Sequence, residues 1–185
     1  MTPPRRSSLS TRRDDVPPTE SLQDLRTRMR AVNRAFPSGV AVVSTLIHDK
    51  PHGLAVNAFS SVSLEPPLVL VCVNTAAQTH EHLYTGRFIG ISFLAHDQAA
   101  VASVFAISGG DKFAGIGWHR GSTDAPLIDN AAGYLEAAVE QRHSAGTHTI
   151  FVGRVVEADA TRRAPLIYLN GSFYDGAELP TRKLG

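Results

Sequence analysis

Apolar residues recur at two different spacings along this chain, and these spacings predict which parts are helical and which are extended. From Thr19 or Ser21 to Ala35, large apolar side chains return every three or four positions, which is the period of an amphipathic α-helix. Pro37 and Gly39 end that pattern. Beyond them, short β-branched and apolar runs alternate with turn residues, so strands are expected to dominate the rest of the chain.

The predicted strands follow one another through short turns. They span 40–47, 53–59, 68–73, 88–94, 134–142, 147–157 and 166–169, with a short extended pair at 173–174. Two short helices are predicted between them, one near 79–84 and one that is capped by Asp97 and ends at Gly109-Gly110. Alternating strand–helix–strand units are missing. The order therefore predicts a mainly β, antiparallel barrel with a few short flanking helices.

Composition limits the domain organisation and the class of partner. Residues 1–20 are rich in Pro, Ser, Thr and Arg and predict a disordered N-terminal arm, followed by one domain over 21–175 and a loose tail over 176–185. A formal net charge of +1 argues against nucleic-acid binding. No apolar run reaches the roughly 20 residues of a membrane-spanning helix, and no secretory signal is evident. We therefore expect a cytoplasmic protein with no membrane partner.

Several kinds of site are disfavoured by the residues present. The only cysteine, Cys72, lies in the apolar run 68–73, where a small core residue is expected. A single thiol excludes an intrachain disulfide and a cysteine-built zinc or iron–sulfur site. His80 and His82 stand two positions apart at a predicted helix start, where both cannot face one metal ion, so no metal is expected. A hydrolase is disfavoured because a nucleophile elbow is missing.

The most informative segment runs from Gly53 to Asn74. It joins small and hydroxyl-bearing residues, 55–63, to the apolar strand 68–73 through Pro66-Pro67. A core strand does not need a cluster of asparagine and serine at its end, whereas a polar, planar ligand that lies against exposed backbone does. Thr79, at the start of a predicted helix with free N–H groups, is a candidate anchor for a phosphate.

Seven segments of the chain resemble one family in the same order. They are 36–45, 52–73, 79–81, 91–94 with 97–98, 109–113, 146–153 and 165–168. Together, across about residues 28–175, they resemble the flavin reductase component of two-component monooxygenases. The resemblance implies a Greek-key split β-barrel and a homodimer. It also implies FMN or FAD as the flavin, NADH or NADPH as co-substrate, and a partner monooxygenase that receives reduced flavin.

The resemblance also implies roles for individual residues. Those that would border the isoalloxazine ring or meet its edge are Pro37, Ser38, Gly39, Ala55, Val56, Asn57, Ala58, Phe93 and Leu94. Those near the ribityl chain and phosphate would be Ser60, Ser61, Thr79 and His80, with Lys112 and Phe113 as further contacts. His148 and Tyr168 would face the nicotinamide, with His148 as the one catalytic residue. His96 stands where the family commonly has an acidic residue, which allows a changed surface contact.

The leading interpretation is an NAD(P)H:flavin oxidoreductase, and three alternatives stay open. The same fold could pass electrons from bound flavin to a protein or a corrinoid. It could also bind flavin or haem without catalysis, although His148 and Tyr168 disfavour a pure binder. A regulatory or DNA-contacting protein that uses the arginines of the N-terminal arm is the last alternative. The choices between FMN and FAD and between NADH and NADPH stay open, because no residue that reads adenine or ribose stands out.

Overall fold

A computed structural model of the chain describes residues 21–180, and the expected arm over 1–20 and residues 181–185 lie outside that range. The helices of the described part are Leu22–Ala35 (α1), Thr79–Thr85 (α2) and Ala99–Ala106 (α3). Its strands are Ser38–Gly39 (β1), Ala41–Ile47 (β2), Lys50–Val56 (β3), Phe59–Leu64 (β4), Pro67–Asn74 (β5), Phe88–Phe93 (β6), Trp118–Arg120 (β7), Pro126–Ile128 (β8), Gly133–Ala145 (β9), His148–Ala160 (β10), Leu166–Leu169 (β11) and Ser172–Asp175 (β12).

A seven-stranded antiparallel sheet with the order β3-β2-β6-β9-β10-β5-β4 forms the body of the fold. Its two edge strands, β3 and β4, are consecutive in the chain and separated only by Asn57 and Ala58. Neighbouring strands lie about 4.8 Å apart, so this link cannot cross a flat sheet of seven strands. The sheet must curl until its edges meet. Within residues 21–180 those edges do not pair with each other, which makes the barrel split, as predicted.

Two apolar clusters lie on opposite faces of the curled sheet. Inside the barrel, Val43 packs with Val71, Ile91 and other buried residues. Outside it, Val42 packs with residues of α3 and of the loop that precedes β7. Adjacent residues of a strand point to opposite faces, and both Val42 and Val43 are 0% exposed. Strand β2 is therefore buried on both sides, which explains its uninterrupted apolar run.

The hydroxyl-rich stretch and the long hairpin differ from the sequence prediction. Residues 59–64, expected to be largely loop, form the edge strand β4, where polar side chains face solvent at little cost. The turn expected at 143–146 is shorter, since β9 continues to Ala145 and only Gly146 and Thr147 form the turn. Gly146 has a φ of 61°, a left-handed conformation that glycine adopts without a steric penalty.

The prediction that Cys72 is a core residue is wrong. Val71 and Val73 are buried and face the barrel interior, so Cys72 between them points outward and is partly exposed. Asp97 does not cap α3 either, because its carboxylate pairs with Arg163 at 2.5 Å. Ser21 does cap α1, as predicted, by accepting a hydrogen bond from the backbone of Asp24.

The tail expected after Asp175 is ordered where it begins. Residues Gly176–Glu178 form a 3₁₀ helix that Asp175 caps by accepting from the N–H of Ala177 at 2.7 Å. The N–H of Gly176 also donates to the carbonyl oxygen of Pro165 at 3.0 Å. The second of these hydrogen bonds holds the end of β12 against the segment that precedes β11.

Glu136 is a carboxylate inside the fold, only 1% exposed, that holds the loop between β7 and β8. Its oxygens accept from the backbone N–H groups of Ser122 and Thr123, both at 2.7 Å, and from both hydroxyls. Burial alone would raise the pKa of Glu136, but these hydrogen bonds outweigh it and hold the pKa below its ordinary value. The side chain is therefore a structural anion.

We expect Glu136→Ala to lower the free energy of unfolding by about 3 kcal/mol, because four donors lose their buried acceptor. Chemical denaturation measures this directly. The control is Glu140→Ala on the same strand, whose exposed pair with Arg154 should contribute less than about 1 kcal/mol.

The pH dependence of the Glu136 effect has a defined sign. A carboxyl whose folded pKa is lowered contributes stability above its unfolded pKa, and that stability is lost as pH falls through the folded pKa. The difference in the free energy of unfolding between the wild type and Glu136→Gln should therefore decrease as the pH falls below 4.5, the ordinary pKa of a glutamate carboxyl. A gap that stays constant through this range would contradict the assignment.

Candidate functional site

The site lies along the unpaired edge of β3. Hydrogen bonds from a central strand alternate between its two neighbours, so a residue that bonds toward β6 cannot also bond toward β3. The N–H of Leu94 donates to the carbonyl oxygen of Val40 at 2.9 Å, so Val40 and every second residue after it bond toward β6. The residues between them bond toward β3. On β3 this leaves the backbone groups of Gly53, Ala55 and Asn57 pointing away from the sheet.

The exposed edge is capped at one end and open at the other. The carbonyl oxygen of Gly53 accepts from Thr79 Oγ1 at 3.0 Å and from Lys112 Nζ at 3.4 Å. Within residues 21–180, the backbone groups of Ala55 and Asn57 have no such partner on this side. Unpaired N–H and C=O groups beside a concave surface are suited to the hydrogen-bonding edge of a ligand.

Two apolar depressions meet at Val56 and Asn57, at the open end of this edge. The first has a volume of about 170 Å³ and is lined by Phe36, Ser38, Gly39, Ala41, Val56, Asn57, Phe59 and Phe93. The second has a volume of about 260 Å³ and is lined by Val40, Ala55, Val56, Asn57, Ala102, Ala106, Tyr168 and Phe173. The shared wall means that two ligands, one in each depression, would be neighbours.

Aromatic side chains and one unpartnered hydroxyl define the chemistry of the depressions. The rings of Phe59 and Phe93 lie edge to face with their centroids 4.8 Å apart. Ser38 Oγ is buried and, among the described residues, has no hydrogen-bond partner. Buried polar atoms normally have one, so this hydroxyl is available for a ligand. A flat aromatic molecule with a polar edge therefore fits the first depression.

The first strand connects the two depressions. Ser38 is paired with Tyr168 of β11, so the same pair of strands contributes residues to both depressions. At Gly39 a Cβ atom would have nothing within 4 Å, which leaves open space in front of β1. On the other side, the rings of Tyr168 and Phe173 lie 5.7 Å apart.

A polar cavity of about 280 Å³ lies at the opposite end of β3. Its lining consists of Lys50, Pro51, His52, Gly53, Gln78, Thr79, His82, Gly110, Asp111, Lys112 and Phe113. Lys112 Nζ donates to the carbonyl oxygens of Gly53 and Phe105, and burial lowers the pKa of this amine. At about 3.3 Å per residue, some 10 Å of strand separates Gly53 from Val56.

Most of the residues that the sequence singled out lie in one of these three places. The depressions contain Ser38, Gly39, Ala55, Val56, Asn57, Phe93 and Tyr168. The polar cavity contains Thr79, Lys112 and Phe113. Thr79 begins a helix of only seven residues, and its hydroxyl donates to the carbonyl oxygen of Gly53. Pro37 is an exposed residue between α1 and β1, next to the first depression.

Besides Pro37, six predicted site residues do not line these places. Leu94 is 0% exposed and belongs to the outer apolar cluster. Ala58 accepts at its carbonyl oxygen from the N–H of Cys72 at 3.0 Å. Ser60 and Ser61 are exposed on β4, where the Ser60 hydroxyl donates to the carbonyl oxygen of Ser61. The other two are the histidines, His80 and His148.

Both histidines make hydrogen bonds within the chain. His80 Nε2 lies 2.8 Å from Thr149 Oγ1, and its ring borders an open hollow together with Tyr84. His148 begins β10 opposite Asn74, with Nδ1 3.0 Å from Thr147 Oγ1. His96, where the sequence departs from the family pattern, binds Asp175 at 2.9 Å and so makes a surface contact of its own.

Sequence reasoning missed several residues of the site. Phe36 and Phe59 line the first depression and lie inside the segments 36–45 and 52–73, and Phe173 lines the second depression and follows the segment 165–168. Their proximity to those motifs was the available signal. His52 and His82 had none, because thirty residues separate them and only the packing of α2 against β3 stacks their rings, with centroids 3.7 Å apart.

Between residues 21 and 180 no group of three or more metal-ligating side chains is arranged to hold an ion. In the same range, no helix has the length and apolar character needed to cross a membrane.

Comparison with known proteins places the chain in a family. Residues 32–177 match the flavin reductase like domain. The reductase component of 4-nitrophenol 4-monooxygenase/4-nitrocatechol 2-monooxygenase from Rhodococcus opacus is 38% identical over 148 residues, covering 80% of each chain. The NADH-dependent FAD reductase of Streptomyces globisporus is 37% identical over 165 residues, covering 85% of this chain and 90% of that protein.

Structural comparison agrees with the sequence match. The NADH:FAD oxidoreductase of Streptomyces globisporus C-1027, solved in complex with NAD and FAD fragments, superposes with a TM-score of 0.76 at 37% identity, covering 80% of this chain and 90% of that one. The family match over residues 32–177 includes the strands that form both depressions and the polar cavity. This chain belongs to the flavin reductase-like domain family.

Proposed function

We propose that this protein is an NAD(P)H:flavin oxidoreductase that supplies reduced flavin to a separate monooxygenase. The proposal depends on one observation: the unpaired edge of β3 opens onto two adjoining depressions in a chain of the flavin reductase-like family. The named relatives favour NADH as the reductant and FAD as the flavin. The Rhodococcus relative, a monooxygenase reductase component, favours a monooxygenase as the recipient.

The first depression suits the isoalloxazine ring of a flavin. Phe59 and Phe93 provide an apolar wall, and the hydroxyl of Ser38 and the backbone at Asn57 provide hydrogen bonds for the polar edge of the ring. The backbone at Ala55, which lines the adjoining depression, offers a further contact on the same strand edge. Backbone N–H groups held by a sheet need no rearrangement when a ligand gains negative charge, so they stabilise a reduced ring. Bound flavin supplies the two-electron acceptor that takes a hydride from the nicotinamide.

The second depression suits the nicotinamide. It contains Tyr168 and shares Val56 and Asn57 with the first, so residues of this wall would bring the nicotinamide close to the flavin ring. Hydride transfer requires the reacting atoms within about 3.5 Å of each other, and fixing that approach is the main task of the protein. No side-chain nucleophile is needed. Ala102 and Ala106 of α3 close the far side with small groups that leave room for a ring.

The phosphate of the flavin belongs in the polar cavity. Lys112 is a partly buried cation whose ammonium group, among residues 21–180, donates only to the carbonyl oxygens of Gly53 and Phe105. An anion beside it would replace weak neutral acceptors with a charged one. Thr79, on the same wall, supplies a hydroxyl that already points at Gly53. We retain, as proposals, the predicted contacts of this part of the flavin with Ser60, Ser61 and His80.

We also propose a homodimer. No residue of α1 is buried, and its apolar side chains Leu22, Leu25, Met29, Val32 and Phe36 are each at least 52% exposed. Such a contiguous apolar stripe is typical of an interface. The stripe ends at Phe36, which also lines the first depression, so a second copy that covers α1 would lie beside the flavin.

The dimer proposal predicts that Leu25→Glu with Met29→Glu yields a monomer with an unchanged circular dichroism spectrum, because a charge would be buried without a partner. Light scattering after gel filtration gives the mass. Thr27→Glu, on the opposite side of α1, is the control and should leave the dimer intact. A wild type that is monomeric at micromolar concentrations would refute the proposal.

The activity proposal predicts that NADH is oxidised only when FAD or FMN is added. His148 does not line the second depression, so its contact with the nicotinamide is proposed from the family resemblance alone. If that contact forms, His148→Ala lowers kcat/KM for NADH by about tenfold or more and leaves the flavin Kd unchanged. His143→Ala, an exposed histidine on the same hairpin, is the matched control. If neither nicotinamide supports flavin-dependent oxidation in the wild type, the proposed function is wrong.

Ser38→Ala should have opposite effects on ligand binding and on stability. Loss of the hydroxyl should raise the flavin Kd by about five- to tenfold, the equivalent of one hydrogen bond. The free energy of unfolding should stay the same or rise by up to about 1 kcal/mol, because an unpartnered buried atom is removed. Fluorescence titration and denaturation measure the two quantities. A variant that loses stability but binds flavin normally would place Ser38 outside the site.

A further inference from the structure

The polar cavity at the start of β3 has two parts. The part nearest the depressions contains Gly53, Thr79 and Lys112, which are linked by hydrogen bonds. The part farther away contains His52 and His82, whose rings stack with centroids 3.7 Å apart and planes 25° from parallel. Both parts line one continuous cavity.

The cavity has an excess of cationic side chains. Lys50 and Lys112 are cations, and His52 and His82 add two imidazoles that can be protonated. Asp111 is the only carboxylate in the lining, and its Oδ1 already accepts from the N–H of Phe113 at 3.1 Å. An anionic ligand would balance this charge, and a cation would not.

The direction of β3 orders the parts of a ligand that follows its edge. From the depressions at Val56 the strand leads to Gly53 after some 10 Å and to His52 after some 13 Å, at about 3.3 Å per residue. A ligand with its ring at Val56 and one phosphate beside Lys112 therefore reaches the histidines only if it continues beyond that phosphate.

We propose that His52 and His82 bind the second phosphate of FAD and so make this chain prefer a dinucleotide flavin over a mononucleotide flavin. The inference rests on the proposed flavin reductase function and assigns to the same site two residues that hydride transfer itself does not require. Lys50, exposed at the first position of β3, completes the subsite at the cavity mouth.

His52, one of the two stacked histidines, responds to an anion through its protonation. Burial lowers the pKa of His52, and the adjacent His82 and Lys50 lower it further, while Asp111 opposes them. A phosphate beside the pair favours the protonated imidazole, so FAD binding takes up a proton. Lys50, His82, Asp111 and Lys112 are the titratable groups that face His52 from the elements around the cavity. FAD affinity should therefore increase as pH falls from about 8 to about 6, and FMN affinity should change less.

The 2′-phosphate of NADPH has the same chemistry as a flavin phosphate, so the test must separate the two. Kd values for FAD, FMN and riboflavin are measured by fluorescence titration, and KM values for NADH and NADPH in the steady state. For His52→Gln with His82→Gln we expect the FAD Kd to rise about tenfold or more, the FMN Kd by less than about threefold, and the riboflavin Kd to stay constant. The pH dependence of FAD binding should disappear in this variant.

Two further measurements keep the test independent of folding and of activity. Lys50→Glu changes only an exposed residue and should weaken FAD more than FMN. In the wild type, inorganic pyrophosphate should shift the imidazole NMR signals of both His52 and His82. His143→Gln, outside the cavity, is the control and should leave every Kd unchanged.

The possible results separate the two proposals. Equal weakening of all three flavins, or none, would overturn the role of the histidines, and so would an effect confined to NADPH. A wild type that reduces no flavin would instead refute the proposed function. A wild type that reduces flavins, with an FAD/FMN preference that the histidine variants leave intact, would refute this inference alone.

Discussion

The unpaired edges of the curled sheet are the constraint on which the rest of the structure depends. A strand edge presents backbone donors and acceptors that must find partners, and the two-residue link between β3 and β4 brings both edges together without pairing them. The chain satisfies the β3 edge at Gly53 with Thr79 and Lys112. It leaves the edge open at Ala55 and Asn57, where the two depressions meet.

The size and polarity of the residues around this edge are explained by the ligand that it has to accommodate. Small or open positions such as Gly39 and Ala55 leave room for a ring, and Phe59 and Phe93 provide a rigid apolar wall. Charged residues are concentrated at the other end, where Lys50 and Lys112 line the polar cavity. One strand therefore runs from an apolar environment to a cationic one. This order complements a nucleotide cofactor, in which an aromatic ring is followed by anionic phosphates.

The sequence predicts most of the long strands because their apolar runs and turn residues are local signals, but it does not predict the short strands β1, β7 and β8, and its strand 53–59 combines the end of β3 with the start of β4. It fails where a residue's environment depends on distant packing. Leu94 directly follows β6, a strand that is buried on both faces, so the apolar run does not tell whether its side chain faces a ligand or the core. Cys72 was assigned to the core because its neighbours are apolar, although alternation along β5 turns it outward. The stacking of His52 and His82 requires α2 to pack on β3 and has no local signature.

The position of Phe36 connects two equilibria that are usually treated separately. Its side chain is 74% exposed at the end of the α1 stripe and also borders the first depression. If a second copy binds α1, it changes the surroundings of a ligand ring in the first depression. Thermodynamic reciprocity then requires the ligand to alter the free energy of self-association by the same amount. In such a protein the apparent affinity for the ring would depend on the concentration of the polypeptide itself, and dilution would release the ligand.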